Sequence, residues 1–153
     1  MKKYKITEIA PGAVKGVDVQ LPGTAKIYKE NWFEWTATTL CSNMKTTALA
    51  GGVLDIWKYT PVFRELEFHQ DNEMFYFIQG TAIMPFADIN NGKIDMDSVQ
   101  LVRIQPGTQI IIHPNKAHFV AVAQDDTPVK IIVASPAMDA PRLMPDESIG
   151  VYD

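Results

Sequence analysis

Ten prolines and nine glycines are spread along this 153-residue chain, and their spacing limits the fold more than any other feature. Proline cannot donate a backbone hydrogen bond, and glycine weakens helix and strand alike. The chain is cut into pieces of roughly six to ten residues, too short for the apolar spacing of three and four that an amphipathic helix sustains over about 11 residues. Only residues 42–50 leave room for a helix, and a short one. The other pieces are rich in Val, Ile, Phe, Tyr, Trp and Thr, which suit a pleated, half-buried surface. Strands are predicted at 32–40, 53–59, 62–69, 73–79, 81–89, 99–105, 108–113, 118–123 and 129–134. Turn signals lie between them at Gly80, Asn90-Asn91-Gly92, Pro106-Gly107, Pro114-Asn115 and Asp125-Asp126. Asn91-Gly92, between Ile89 and Ile94, predicts a hairpin, because a type I′ turn needs the positive φ that Asn and Gly tolerate. Many short strands with almost no helix imply a closed barrel or a sandwich. One domain is expected: a barrel over 31–135, an irregular N-terminal arm over 1–30 and a similar tail over 136–153.

Composition narrows the partners. Hydrophobic residues make up 46% and charged residues 21% of the chain, too apolar for a disordered protein. The net charge is −4, and no cluster of Lys and Arg forms a basic face, which argues against nucleic acid. No uncharged run approaches the roughly 20 apolar residues that cross a bilayer. Met-Lys-Lys at the start is followed by the mixed sequence Tyr4, Lys5, Ile6, Thr7, Glu8, so no secretory signal is read there and a soluble, cytoplasmic protein is expected. The single cysteine, Cys41, leaves neither a disulfide framework nor a cysteine zinc cluster.

The chemistry gathers around three histidines. In Arg64-Glu65-Leu66-Glu67-Phe68-His69, strand alternation puts Glu65, Glu67 and His69 on one face and Leu66 and Phe68 on the other. That polar face either meets water or projects into a barrel mouth. Glu73 opens the wholly apolar run Met74-Phe75-Tyr76-Phe77-Ile78; a carboxylate so placed is partly buried, which is costly without a compensating cation or hydrogen-bond donors. After the turn Gln70-Asp71-Asn72 it can fall back beside His69. His118 opens another apolar strand, with Val120 and Val122 read on its own face. Two imidazoles with one or two carboxylates at strand ends suit a divalent transition metal such as Mn, Fe, Ni or Zn better than Ca or Mg.

These residues resemble the two motifs of the cupin superfamily. His69-x3-Glu73-x6-Gly80 is similar to the second half of the first cupin motif, where a His-x-His pair is followed by Glu and then Gly. Pro106-Gly107, followed by the segment from His113 to His118, looks like the second motif. The resemblance spans about residues 62–123 and implies a cupin-type double-stranded β-helix with His69, Glu73 and His118 as metal ligands. Glu67 departs from the pattern, standing where the first histidine of the pair is usual, and is either a substitute ligand or a catalytic carboxylate.

A narrower resemblance is to the ureidoglycolate lyase family, through Glu65-Leu66-Glu67-Phe68-His69 and the pair His113 and His118 with Asn115 between them. It implies cleavage of ureidoglycolate to glyoxylate and urea in purine (allantoin) breakdown. Glu67 is then the base, and Lys58 a clamp for the substrate carboxylate. His113 and Gln79 are read as flanking the substrate or supporting a ligand, with Gln105 and Gln109 as further supports. Glu65 is expected at the solvated rim. A non-catalytic cupin that senses a small polar metabolite or sugar, and a cupin isomerase or dioxygenase, use the same residues. Surplus aromatics at Trp32, Phe33 and Trp35 predict a homodimer, with the strand at 32–40 adding to a partner's sheet.

Overall fold

The computed structural model describes residues 1–152, and among them every regular element is a strand. In chain order these are β1 (Lys2–Tyr4), β2 (Ile6–Glu8), β3 (Val17–Gln20), β4 (Lys26–Lys29), β5 (Glu34–Ala37), β6 (Leu49–Ile56), β7 (Leu66–Glu67), β8 (Glu73–Gln79) and β9 (Ala82–Ala87). They continue with β10 (Ile89–Asn90), β11 (Lys93–Ile94), β12 (Gln100–Ile104), β13 (Gln109–Ile112), β14 (Ala117–His118), β15 (Val122–Ala123), β16 (Val129–Pro136), β17 (Arg142–Leu143) and β18 (Ile149–Val151). Residues 42–48, the stretch with room for a helix, are irregular and lead directly into β6.

Two sheets face each other. One runs in the order β3-β13-β8-β16-β6; the other runs β17-β7-β14-β9-β12-β2, with β15 also pairing to β9. Apart from β2 on β12, the pairings within them are antiparallel. The main core lies between the sheets: Phe75 and Phe77 of β8, Met84 and Phe86 of β9, and Ile110 and Ile112 of β13 alternate inward as the pleat requires. A second cluster, including Phe63, Leu66, Ile83, Leu101 and Ile149, covers the outer side of the second sheet. Buried on both faces, β9 reads as a continuous apolar run.

Three expectations need correction. The N-terminal arm is not irregular: β2 pairs with β12, β3 with β13, and β1 lies parallel to β18 of the tail. Its strands are three or four residues long and too mixed for periodicity to register them. The segment 32–40 contributes only β5, which pairs with β4 of its own chain in a separate ribbon that leaves Trp32 and Trp35 exposed. The strand expected at 62–69 shrinks to β7, because Phe63 already bridges to Ile149. The hairpin at Asn91-Gly92 forms as read, both residues having positive φ (50° and 75°) and β10 pairing with β11.

Candidate metal centre

Glu73 is the first residue of β8 and shares its inward face with Phe75 and Phe77. His118 ends β14, paired on one side with Glu67 of β7 and on the other with Phe86 of β9. The short turn 70–72 carries His69 back over Glu73. Asp71 pins that turn: its carboxylate accepts from the backbone N–H groups of Lys45 (2.7 Å), Thr46 (3.3 Å) and Asn72 (2.8 Å). From the tail, the Phe68 N–H donates to the Pro141 carbonyl, and β17 pairs with β7. Residues far apart in sequence therefore meet at one end of the space between the sheets.

Glu73 Oε2 stands 3.2 Å from His69 Nε2 and 3.1 Å from His118 Nε2. The imidazole centroids are 5.1 Å apart. Glu67, His69 and His118 each offer a ligand atom within 4.8 Å of the others, so both carboxylates approach the imidazole pair. His69, Glu73 and His118 are buried and Glu67 is half-buried.

The tautomers follow from the outer contacts. His69 Nδ1 lies 3.2 Å from the Asp139 carbonyl oxygen, and His118 Nδ1 lies 2.9 Å from that of Lys116. A carbonyl only accepts, so both Nδ1 atoms carry the proton and each ring presents Nε2 inward to Glu73, with His118 Nε2 in hydrogen-bonding reach of Oε2. His69 Nε2 is buried with no hydrogen bond of acceptable geometry, despite its proximity to Glu73. Two ring nitrogens and a carboxylate oxygen thus converge, and in a dry site they repel unless protons or a cation stand between them. Donors bound at about 2.0–2.2 Å to one ion sit about 3.0–3.5 Å from each other, and Glu73 Oε2 lies at that spacing from each Nε2. The nitrogen-and-oxygen donor set fits a divalent transition metal, and carbonyl contacts at Nδ1 are the usual way a ligating imidazole is oriented.

Without a metal, protons resolve the conflict. Burial alone would push the Glu73 carboxyl up, but the His118 hydrogen bond and the close approach and charge of both imidazoles hold it at about 2. Burial would lower His69, but the adjacent carboxylate of Glu73, the Asp139 carbonyl and the Glu67 charge raise it above its ordinary value. The depressed Glu73 contributes stability that is complete above its ordinary 4.5 and lost as pH falls toward about 2. The raised His69 contributes below its ordinary 6.5 and is lost as pH climbs through the folded value. Chelator-treated protein is therefore expected to be most stable between about pH 4.5 and 6.5. Metal uptake should weaken on acidification through the His69 titration, since protons and metal compete for one lone pair. Thermal unfolding across pH, with and without chelator, checks both.

Glu67 and Glu73 line a cavity of about 260 Å³ together with Leu54, Phe75, Val120 and Val133. Gly52 and Val53 complete its wall, and no lining side chain is cationic. The structure does not bring the expected clamp here. Lys58 follows the end of β6, bridges to Ala123 and pairs with Asp126 at 3.0 Å, beside a different surface concavity. Gln79 is at the far end of β8 from Glu73, where it donates to the Pro128 carbonyl. His113 turns away to Asp18, 2.8 Å from its carboxylate. Gln105 accepts from Thr81, and Gln109 contacts Met74. The imidazole supports are backbone carbonyls instead, and a carbonyl leaves no side-chain signature in a sequence. Glu65 is at the rim as expected, held by Arg142 at 2.6 Å. Val120 lies on the mouth side as read, but Val122 falls into the outer cluster because the strand breaks between β14 and β15.

No family model matches the sequence, and no curated protein matches it. Among solved structures, dTDP-6-deoxy-D-glucose-3,5-epimerase RmlC from Legionella pneumophila Philadelphia 1, in complex with dTDP-4-keto-L-rhamnose, is similar over 84% of this chain and 71% of its own, with a TM-score of 0.52 and 11% identity. Bacillus subtilis oxalate decarboxylase OxdC is similar over 63% of this chain, with a TM-score of 0.45 and 17% identity. The chain spans about a quarter of the decarboxylase, 24% of its length. Likeness at such identity speaks for the fold and not for the reaction. The two facing sheets and the similarity to the epimerase make this an all-β chain with the cupin-type, RmlC-like jelly-roll fold.

Proposed function

We propose that this chain is a metal-dependent cupin-fold enzyme acting on a small carboxylate. The observation that carries the reading is the convergence of two imidazoles, each with Nδ1 on a backbone carbonyl, on Glu73, which also lines an open cavity. His69, Glu73 and His118 would hold the ion, of which Mn, Fe, Ni and Zn all accept such donors. Bound there, it would supply Lewis acidity and a template for a chelating carboxylate and hydroxyl. Glu67 is the free carboxylate of the group. It lines the mouth opposite His118 and can take a proton from a substrate hydroxyl. Leu54, Phe75, Val120 and Val133 give the mouth an apolar wall.

Ureidoglycolate is the specific compound this reading nominates. Glu67 would remove the hydroxyl proton, the carbon–oxygen bond would become the glyoxylate carbonyl, and the C–N electron pair would leave on the urea nitrogen, which is protonated. With Lys58 tied to Asp126 and no cation in the wall, the substrate carboxylate depends on the metal for its anchor. Glyoxylate release from ureidoglycolate is expected to fall by about 10²- to 10⁴-fold in Glu67→Gln, the range for losing a general base, with bound metal unchanged. No release from the metal-loaded wild type removes ureidoglycolate, and undiminished release by the variant removes Glu67 from the reaction.

A further inference from the structure

The outer face of the five-stranded sheet is covered at one end and bare at the other. Side chains directly opposite one another on paired strands share a face, so Gln20, Gln109, Tyr76, Ile132 and Val53 form one row across β3, β13, β8, β16 and β6. Exposure climbs along that row, from 7% and 8% at Gln20 and Gln109 to 48% at Ile132 and 57% at Val53. The covered end is where the β4–β5 ribbon is rooted. Gln20 Oε1 accepts from the Thr39 N–H (2.6 Å) and from the Thr38 and Thr39 hydroxyls (3.0 and 2.9 Å), and Trp35 lines one concavity with Gln20, Gln109 and Tyr76. Ile132 and Val53 lie on the far side of Tyr76 from that root. Beside them Gly51 pairs with Ala134 on the same face, leaving a shallow trough. β6 is also the free edge of the sheet, eight residues without the proline or lysine that commonly blunt an edge.

The ribbon is the complementary surface. Two strands alone are marginal in water, yet Trp32 is 84% and Trp35 64% exposed, a concentration of apolar surface that a monomer seldom leaves without a use. The Phe33 ring packs against Trp32 and Tyr28, with centroids 4.6 and 5.8 Å apart, so the aromatics are ordered for contact. We infer that the chain forms a twofold dimer in which the ribbon of each copy covers the bare half of the other's sheet, over Ile132 and Val53. Two observations commit the face to a second copy. The chain carries both halves of the contact, while Gln20 tethers its own ribbon at the opposite end of the row; each half is then filled by a partner, and a self-complementary contact of this kind closes as a dimer. Charge agrees: Asp55 pairs with Lys130 beside the bare half, and Lys29 pairs with Glu34 on the ribbon (3.3 Å), so the copies meet without like-charge repulsion from these groups. Glu73 and Phe75 belong to the inner face of the same sheet, so the contact leaves the metal centre free.

Sedimentation velocity at micromolar concentration should give twice the mass of the chain. Ile132→Asp on the sheet and Trp32→Ala/Trp35→Ala on the ribbon, all at exposed positions, should each weaken dimerisation by at least about 30-fold, the loss of a central apolar anchor. Circular dichroism and zinc uptake should stay as in the wild type. Tyr59→Ala/Met144→Ala, at exposed residues that line a separate concavity with Phe119, should leave the mass unchanged. Mixing the sheet variant with the ribbon variant should restore part of the dimer, because one intact ribbon then meets one intact sheet. A monomeric wild type, a dimer that survives either variant, or one dissolved only by the Tyr59 and Met144 changes overturns the assignment. A mixture that stays monomeric overturns it too, since like surfaces would then meet like. A wild-type monomer that floats with phosphatidylcholine vesicles, and no longer does so without the two tryptophans, gives the ribbon to a lipid surface and equally overturns it.

Discussion

Replacing His118 by Ala is expected to weaken divalent-metal affinity by more than about 100-fold, beyond the 10- to 100-fold that loss of an outer support costs a metal site. The imidazole is fully buried, its Nδ1–H is held by the Lys116 carbonyl and its Nε2 faces Glu73. Its neighbours across the sheet offer no second imidazole: Phe86 lies on one flank and the carboxylate Glu67 on the other. His69→Ala should behave alike, with the added loss of the contact to the tail at Asp139. Titration of both variants with Zn and Mn against a competing chelator, alongside circular dichroism to show that the sheets persist, measures the effect. Wild-type affinity in either variant would mean that the imidazoles are core residues that happen to adjoin a carboxylate.

The second large effect lies behind the site. Phe86→Ala should destabilise the protein by about 3–5 kcal/mol, the cost of removing a large buried aromatic and leaving a cavity. Phe86 is fully buried in the main core, on the strand that faces Gln100 of β12 and His118 of β14. Its loss removes the packing that keeps β14 against β9, so metal affinity should fall as well, though by less than in His118→Ala. Denaturant unfolding of the chelator-treated protein isolates the packing loss from any contribution of bound metal.

Much of this was legible in the chain because the governing signals are local. The inward alternation of Glu73, Phe75 and Phe77 follows from strand geometry alone, and so does the Asn91-Gly92 hairpin. The pairing of His69 with Glu73 was readable because only a three-residue turn separates them. What escaped was decided by tertiary pairing. β1, β2 and β3 exist because β18, β12 and β13 offer them edges, and their own three or four residues carry no periodicity. Lys58 follows an apolar strand in sequence, but the chain's bridge to Ala123 sets it beside Asp126 and away from the mouth. The supports at Asp139 and Lys116 are carbonyl oxygens, present at every residue and therefore invisible until the fold selects two of them.

X-ray absorption at the metal edge of the loaded protein probes the proposed centre most directly. The account predicts a shell of nitrogen and oxygen donors whose outer scattering shows two imidazoles, dropping to one in His69→Ala or His118→Ala. A shell without imidazole scattering, or one unchanged by either substitution, would place the ion elsewhere and contradict the account.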